Sequence, residues 1–179
     1  MPKKSNFIKG PLGWAKNEHK VLDNCSVTIS LTQGKETIFS IVDFSTICDY
    51  RWFAAEWKGG YFHAEARCGE LGKQSMSRFL MRPHRGYIVD HIDGNTLNNT
   101  RENLRICTTS QNGMNRRANK TTITNCKGVE LTKELRYRAR IRVNGTVIQL
   151  GTFGTLIEAK MQYDLAAQNY FGEFARGEE

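Results

Sequence analysis

Apolar and polar residues alternate along much of the first half of the chain. Apolar residues at 27–31 alternate with polar ones, a turn follows, and 37–42 forms a second β-rich stretch. This period of two is typical of strands that are buried on one face. A short helix is expected at 43–51, another strand at 61–67, and a short apolar element at 76–81. The pattern predicts a strand-rich platform.

The last third of the chain predicts three strands and one helix. The strands are expected at 128–131, 135–143 and 147–150, and Asn144-Gly145 between the last two is typical of a hairpin turn. A helix is expected at 156–171, where the apolar period changes from two to that of a helix.

Local signals mark both ends of this helix. Thr155 and Glu158 are spaced as a capping box at its start, and Gly172 follows its end. Its apolar stripe is expected to lie on the sheet. The residues assigned to the stripe are Ile157, Met161, Tyr163, Leu165 and Ala166.

These patterns divide the chain into four parts. Residues 1–25 lack periodicity and are predicted to form a basic N-terminal arm, and 26–117 are predicted to form the first domain. An Asn- and Thr-rich linker at 118–124 leads to a second domain at 125–176. The predicted fold class is α+β, in which a strand-rich platform precedes a three-stranded antiparallel sheet with one helix.

The composition is that of an ordinary globular protein with an excess of positive charge. The 179 residues are 39% hydrophobic and 25% charged, and the formal net charge is +8. A basic chain attracts polyanions and gains affinity by releasing their counterions, which favours nucleic acid as the partner.

Cysteine usage and hydropathy indicate the compartment. The five cysteines are odd in number and form no Cys-x-x-Cys pair, so we expect a reduced setting without disulfides. No apolar run approaches the ~20 residues that span a bilayer. The first residues lack the apolar segment of a secretory signal. We therefore expect a cytoplasmic protein without a membrane partner.

Polar residues cluster between the two patterned regions. Asp90-His91 ends an apolar strand, Asp93-Gly94-Asn95 forms a turn, and Asn103 precedes a second strand at 104–107. The asparagines of the intervening loop are expected to shape it and not to bind metal; they are Asn95, Asn98 and Asn99. Neighbouring residues on a regular strand point to opposite faces, so Asp90 and His91 can share a site only if the strand ends or twists there.

A short helix is expected directly after the second strand. Thr108 and Gln111 are spaced as another capping box, which would put Asn112 in the first turns of this helix. The predicted order is therefore strand, long loop, strand, helix.

The residue types in this cluster fit phosphodiester hydrolysis. The reaction needs a divalent cation on the scissile phosphate and a base for the attacking water. Asp90 and Asn112 offer hard oxygen ligands to Mg²⁺, which keeps several waters. His91 is the natural base at neutral pH, and Asn103 could hold its tautomer. The alternative interpretation is that Asp90 shapes a turn, His91 packs in a core and Asn112 is a surface amide.

At these positions the chain resembles the HNH nucleases of phage and intron homing endonucleases. The resemblance implies a ββα-metal fold that nicks or cuts DNA with one Mg²⁺ or Mn²⁺ ion. By position, Asp90 and Asn112 would ligate the metal, His91 would activate water, and Asn103 would orient His91. The third position of the motif is then Asn instead of His, a variant that the family accepts.

The region before the motif, from 29 to 82, also resembles the strand-rich lead-in of these nucleases. One departure lies at Ser77, where relatives often have a histidine. The contribution of Ser77 and of His84 is left open.

A second candidate surface lies on the strand predicted at 135–143. Its arginines alternate with apolar residues, so the guanidinium groups project from one face. Like charges side by side repel each other, which is unfavourable unless an anion binds them. DNA is a candidate for this anion, because a strand face can enter its major groove. The predicted DNA-contacting residues are Arg136, Arg138, Arg140, Arg142 and Gln149 on the sheet, with Arg116, Arg117, Lys120 and Lys127 on the DNA backbone.

Residues 123–176 resemble the AP2-type DNA-binding domain. The resemblance is carried by Lys127-Gly128-Val129, by 137–141 and 150–153, and by the helix. It implies that the sheet docks in the major groove of DNA. Gln149 stands where an aromatic residue often faces the DNA, so the base preference does not transfer. The alternative interpretation is an arginine face that is only solvated.

The leading hypothesis is a metal-dependent DNA endonuclease of the homing or phage type. We expect it to act on double-stranded DNA as a monomer, without a small-molecule cofactor, in the cytoplasm of the bacterial host of a phage. The rival hypothesis is a non-catalytic DNA-binding regulator that uses the HNH-like fold as a scaffold. A metal-stabilised structural module is disfavoured because no cluster of soft ligands exists.

Overall fold

The computed structural model describes residues 8–10, 13–57, 60–116 and 123–176. The strands in these ranges are β1 (Ile8–Gly10), β2 (Gly13–Ala15), β3 (His19–Val21), β4 (Ser26–Ser30), β5 (Glu36–Ser40), β6 (Phe53–Trp57), β7 (Tyr61–Arg67), β8 (Lys73–Ser75), β9 (Ile88–His91), β10 (Asn98–Asn99), β11 (Leu104–Cys107), β12 (Val129–Leu131), β13 (Tyr137–Val143) and β14 (Thr146–Phe153). The α-helices are α1 (Phe44–Cys48), α2 (Met76–Met81), α3 (Thr109–Met114) and α4 (Leu156–Phe171). The fold is mixed α+β, with several small sheets and few helices.

The chain divides into two units, residues 1–108 and 109–179. The division falls between β11 and α3, before the predicted domain boundary at residue 117. The assignment of domains to 26–117 and 125–176 therefore remains a prediction. No helix among the described residues is both long and apolar enough to cross a membrane.

The first unit contains a four-stranded sheet with the order β10-β5-β4-β3 and a three-stranded sheet with the order β6-β7-β8. The predicted alternation is confirmed, because Val27, Ile29 and Phe39 of β4 and β5 are at most 1% exposed. Trp52 is equally buried and its indole Nε1 donates to the carbonyl oxygen of Ile47 at 2.8 Å. This core supports the hairpin described below.

The structure extends the first sheet into the segment that was predicted to be an arm. β3 pairs with β4 in antiparallel register, with His19 opposite Ile29. Asn17 anchors this strand, because its side-chain amide nitrogen donates to the carbonyl oxygens of Ser30 at 2.7 Å and Trp52 at 2.9 Å. The prediction of an arm without regular structure throughout 1–25 therefore fails at 8–10, 13–15 and 19–21, since strands this short show no readable alternation.

β9 and β11 form an antiparallel hairpin in which Arg105 is opposite Asp90 and Leu104 is opposite His91. The connecting loop contributes β10, which adds to the first sheet parallel to β5, with Asn99 opposite Phe39. The two strands and the intervening turn confirm the predicted strand–loop–strand order. The loop is tied to the core at β10.

The second unit contains a three-stranded antiparallel sheet, β12-β13-β14, which packs against α4. The Asn144-Gly145 turn joins β13 to β14, as predicted. The capping box of α4 is also confirmed, because the Thr155 hydroxyl accepts from the Glu158 backbone at 3.2 Å and the Glu158 carboxylate accepts from the Thr155 backbone at 3.1 Å.

The predicted apolar stripe of α4 is wrong in three of its five residues. Ile157, Met161 and Leu165 are 72%, 65% and 54% exposed. Three alanines bring the helix close to the sheet, and two larger side chains, Tyr163 and Phe171, pack beside them. The buried face consists of Ala159, Tyr163, Ala166, Ala167 and Phe171.

Candidate active site and DNA-binding surface

Asp90 lies at the centre of the β9–β11 hairpin and is only 6% exposed. Arg105, its partner on β11, donates from Nε at 2.9 Å and from Nη2 at 2.7 Å to the same carboxylate oxygen, Oδ2. The sequence prediction did not include Arg105. Its position could have been inferred from the register of the hairpin, because opposite charges on facing strand positions attract.

His91 follows Asp90 on β9 and is also buried, at 9% exposure. Its Nε2 lies 3.2 Å from the side-chain oxygen of Asn99. Burial lowers the pKa of His91, although the bond to Asn99 and the carboxylates of Asp93 and Asp90 act in the opposite direction. A neutral imidazole can accept a proton from water, so this shift suits a base.

Asn103 forms different hydrogen bonds from the predicted one. Its side-chain nitrogen donates to Asp93 Oδ1 at 2.9 Å and to the carbonyl oxygen of Asn98 at 2.7 Å, while its oxygen accepts from the Asp93 backbone at 3.0 Å. Among the described residues it forms no hydrogen bond to the ring of His91. Asn103 therefore fixes the loop, because its backbone sits beside the hairpin and its amide points into the turn.

The asparagines of the loop divide into two kinds. Asn95 and Asn98 shape the loop as predicted, since Asn95 accepts from the Leu97 backbone at 3.1 Å and Asn98 donates to Asp93 Oδ2 at 2.8 Å. Asn99 was assigned to the same class, but it is 1% exposed and contacts His91. The difference arises from β10, which carries Asn99 into the core.

The remaining motif positions are placed as follows. Asn112 lies half-buried on α3, which begins at Thr109 in the second unit. Joint ligation of a metal by Asp90 and Asn112 therefore stays a prediction. Ser77 is buried in α2, and His84 is exposed.

The donor chemistry at the hairpin fits a hard cation. Within the described ranges no group of three or more His, Cys, Asp or Glu side chains could hold a metal ion. The predicted metal site needs fewer protein ligands than three. It combines the buried carboxylate of Asp90 with an amide oxygen, and water and phosphate oxygens would fill the other coordination positions. Mg²⁺ favours such oxygen-rich, partly hydrated sites.

His63 on β7 is a second buried histidine near the site, which the sequence prediction missed. When protonated it opposes the protonation of His91, and its own Nε2 lies 2.8 Å from the Glu65 carboxylate. Burial raises the pKa of Glu65, but hydrogen bonds from Lys73 and His63 outweigh it and the net shift is downward. No local signal marks His63, because it is one residue of an alternating strand.

The predicted basic face exists on the sheet of the second unit. Arg138, Arg140 and Arg142 of β13 are exposed, whereas Ala139 and Ile141 between them are buried. On β14, Gln149 is opposite Arg140 and is also exposed. The role of this basic face in DNA binding stays a prediction.

The positive charge of this face is partly neutralised within the protein. The carboxylate of Glu130 on β12 pairs with Arg138 and with Arg140, the latter at 2.8 Å. Arg136 donates to the carbonyl oxygen of Thr152 at 3.4 Å. The anion that meets two of these arginines is therefore a carboxylate of the neighbouring strand, which the sequence prediction did not identify.

Lys127 is placed differently from the predicted DNA contact. Its ammonium donates to the carbonyl oxygens of Gly113 at 3.1 Å and Met114 at 2.6 Å, at the end of α3. Burial and the charges of Arg116 and Arg176 lower its pKa to about 8. It holds α3 in place. Arg116 is exposed, and Arg117 and Lys120 lie outside the described residues.

Comparison with known proteins gives one family and two relatives. A family model described as HNH endonuclease matches residues 82–114, which include all four predicted motif positions. A protein of Acanthamoeba polyphaga mimivirus, named an uncharacterized HNH endonuclease, is 33% identical over 189 residues, covering 97% of this chain and 95% of that protein. Protein 3.8 of Escherichia phage T7 is 40% identical over 50 residues, covering 28% of this chain and 41% of that protein.

No solved structure matches the chain significantly. The family match ends at residue 114. The AP2-like assignment of 123–176 therefore receives no support from these comparisons.

Proposed function

The chain belongs to the HNH endonuclease family and is a DNA endonuclease, and we propose that it hydrolyses phosphodiester bonds of double-stranded DNA with one divalent metal ion. The observation that carries this proposal is the β9–β11 hairpin, in which two neighbouring residues supply a buried carboxylate and a buried imidazole within the matched region. The family assignment replaces the hypothesis of a non-catalytic regulator.

We assign His91 as the base that takes a proton from the attacking water. Asp90 and Asn112 would hold the ion by their oxygens, and this assignment rests on the spacing of the motif. The bound ion, Mg²⁺ or Mn²⁺, would stabilise the charge that develops on the scissile phosphate. Asn103 supports the loop after His91 and acts indirectly.

We further propose that the sheet of the second unit grips DNA in the manner of an AP2-like domain. Its exposed arginines and Gln149 share one face, and among the described residues nothing pairs with Arg142. Arginine can contact both phosphates and guanine edges. Lys127 is left out of this surface because its ammonium is engaged by α3.

The biological setting follows from the same assignment. The two relatives come from a virus and from a phage, which supports a phage or homing enzyme. We also propose that the enzyme acts as a monomer inside a host cell. This setting is part of the proposal.

The test is cleavage of supercoiled plasmid by the purified full chain, with Mg²⁺, with Mn²⁺ and with EDTA. We expect nicked or linear product with either metal and none with EDTA. His91→Ala should lower the rate by about 10² to 10⁴, the usual contribution of a general base, and retain binding in a gel-shift assay. Arg51→Ala, at an exposed position outside the matched residues, is the control. DNA that is retarded but never broken, or cleavage by His91→Ala at the parental rate, would refute the proposal.

A further inference from the structure

A series of three hydrogen bonds, two of them buried, connects His91 to the first sheet. His91 Nε2 lies 3.2 Å from Asn99 Oδ1, Asn99 Nδ2 lies 2.9 Å from the Thr37 hydroxyl, and that hydroxyl lies 2.7 Å from the carbonyl oxygen of Leu97. Asn99 and Thr37 are each 1% exposed. Water therefore has little access to these two links.

The direction of each hydrogen bond follows from the last acceptor in the series, the carbonyl oxygen of Leu97. A carbonyl oxygen can only accept, so the single proton of the Thr37 hydroxyl is committed to Leu97. The hydroxyl oxygen then accepts from the amide nitrogen of Asn99. This orientation turns the amide oxygen of Asn99 towards His91, and an amide oxygen can only accept. The proton of the neutral ring must therefore lie on Nε2.

We propose that Thr37 and Asn99 are positioning residues that hold neutral His91 as the Nε2–H tautomer and leave Nδ1 as its proton acceptor. This inference rests on the proposed function of His91 as the base. Neither residue contacts DNA in this proposal. They act through the ring, as hydrogen-bond partners of catalytic histidines commonly do.

The fold makes this arrangement hard to reverse. β10 pairs with β5, so the backbone of Asn99 is fixed beside Phe39. The Leu97 carbonyl also accepts from the backbone of Ile38 at 3.0 Å, which fixes the terminal acceptor. If the Asn99 amide turned over, its nitrogen would face the ring and its oxygen would face a hydroxyl whose proton is already committed. A buried polar group without a partner is costly, so the observed orientation is favoured.

The direct test is the tautomer of His91, measured by two-bond ¹H–¹⁵N correlation spectra of the ¹⁵N-histidine-labelled full chain. The spectra are recorded without metal, at a pH where the ring is neutral, and the His91 signal is assigned from its loss in His91→Gln. We expect the Nε2–H pattern. A neutral ring with its proton on Nδ1 would overturn the inference, whatever the activity.

Substitution of Thr37 tests the chain of bonds. Thr37→Val removes the hydroxyl that directs the Asn99 amide, so we expect a larger fraction of the Nδ1–H tautomer of His91. We also expect kcat to fall about a hundredfold with KM nearly unchanged, because a misdirected base loses most of its effect. Thr37→Ser keeps the hydroxyl and should restore the parental ring spectrum. Thr28→Val makes the same change on β4 and serves as the control, because within the described ranges the only hydrogen bond of that hydroxyl is to the Lys20 carbonyl oxygen at 3.4 Å.

The outcomes separate this inference from the proposed function. A parental ring spectrum in folded Thr37→Val would overturn the role of Thr37 and Asn99. The expected spectra together with no metal-dependent cleavage would overturn the proposed function and leave the tautomer assignment standing. If Thr37→Val does not fold, the parental spectrum still decides between the two tautomers.

Discussion

Arg105 and Asp90 form a buried ion pair across the hairpin, in which two guanidinium nitrogens donate to one carboxylate oxygen. The two side chains are 12% and 6% exposed. Removing one partner of such a pair leaves an uncompensated buried charge, which costs more than the pair itself contributes. Because Asp90 is also the proposed metal ligand, Arg105 balances the charge that would attract the ion.

Arg105→Leu should therefore destabilise the protein and increase the stabilisation that it gains from bound metal. We expect the free energy of unfolding to fall by about 3 kcal/mol, and we expect Mg²⁺ to raise the Tm more than it does in the parent. Thermal unfolding with Mg²⁺ and with EDTA measures both effects. Arg85→Leu, at an exposed arginine, is the control. A parental Tm in Arg105→Leu would contradict the ion pair.

The basic face should contribute to affinity by neutralising phosphates. Replacing Arg140 and Arg142 together by alanine should weaken DNA binding and reduce the slope of log K against log salt by about 1 for each phosphate that the variant no longer neutralises. Gel-shift titrations between low and moderate salt measure this slope, and Arg51→Ala, at an exposed arginine of the first unit, is the control. An unchanged slope would mean that the face does not touch the DNA backbone.

Glu130 should oppose DNA binding at the same face. Its carboxylate pairs with Arg138 and Arg140, so both guanidinium groups must leave it before they can meet a phosphate. Glu130→Gln should therefore tighten binding to DNA of any sequence by about fivefold at low salt, the scale of a surface ion pair. Glu173→Gln makes the same charge change at an exposed position outside the sheet. Weaker binding by Glu130→Gln would show instead that the carboxylate orients the arginines.

The parts of the fold that local signals specify were predicted from the sequence. Alternation at 27–31 predicted β4, and Asn144-Gly145 predicted the turn between β13 and β14. The turn residues after His91 predicted the β9–β11 hairpin. Each of these signals lies within a few residues of the element that it determines. The motif positions could be located for the same reason.

The partners of the site could not be predicted in this way, because they depend on pairing between distant segments. His91 meets Asn99 because β10 joins β5, whose residues lie about sixty positions earlier in the chain. Glu130 meets the arginines across a strand pair whose register is set by the whole sheet. On α4 the prediction buried Ile157, Met161 and Leu165, whereas three of the five residues that the helix buries are alanines. Local patterns contain none of this information.

Gly128 should be intolerant of any side chain. It has a φ of +70°, and a Cβ there would lie 2.1 Å from Cε2 of Tyr163 and 2.6 Å from the carbonyl oxygen of Arg140. Gly128→Ala should lower the free energy of unfolding of the second unit by about 3 kcal/mol, through overpacking added to backbone strain. Gly145→Ala separates the two causes, since Gly145 has a φ of +84° but no atom within 4 Å of the added Cβ. Equal losses in both variants would contradict close packing by Tyr163.

Lys127 should make the stability of the second unit depend on pH in the alkaline range. Its pKa is about 8 in the folded protein, below its ordinary value of 10.5, because burial and two nearby arginines disfavour the charged amine. Below pH 8 the folded and unfolded chains are both protonated at this position. Between pH 8 and 10.5 the unfolded chain binds more protons, so the free energy of unfolding should rise with pH.

The measurement is hydrogen exchange of core amides in β13, compared between the parent and Lys127→Met at several pH values across this window. We expect the stability of the parent, relative to the variant, to increase from pH 8 towards pH 10.5, because the neutral amine still donates to the carbonyl oxygens of Gly113 and Met114 without the cost of a buried charge. NMR titration of the lysine side chains gives the pKa directly. A midpoint near 10.5 for Lys127, with no pH-dependent difference between the two proteins, would contradict the buried position of its ammonium.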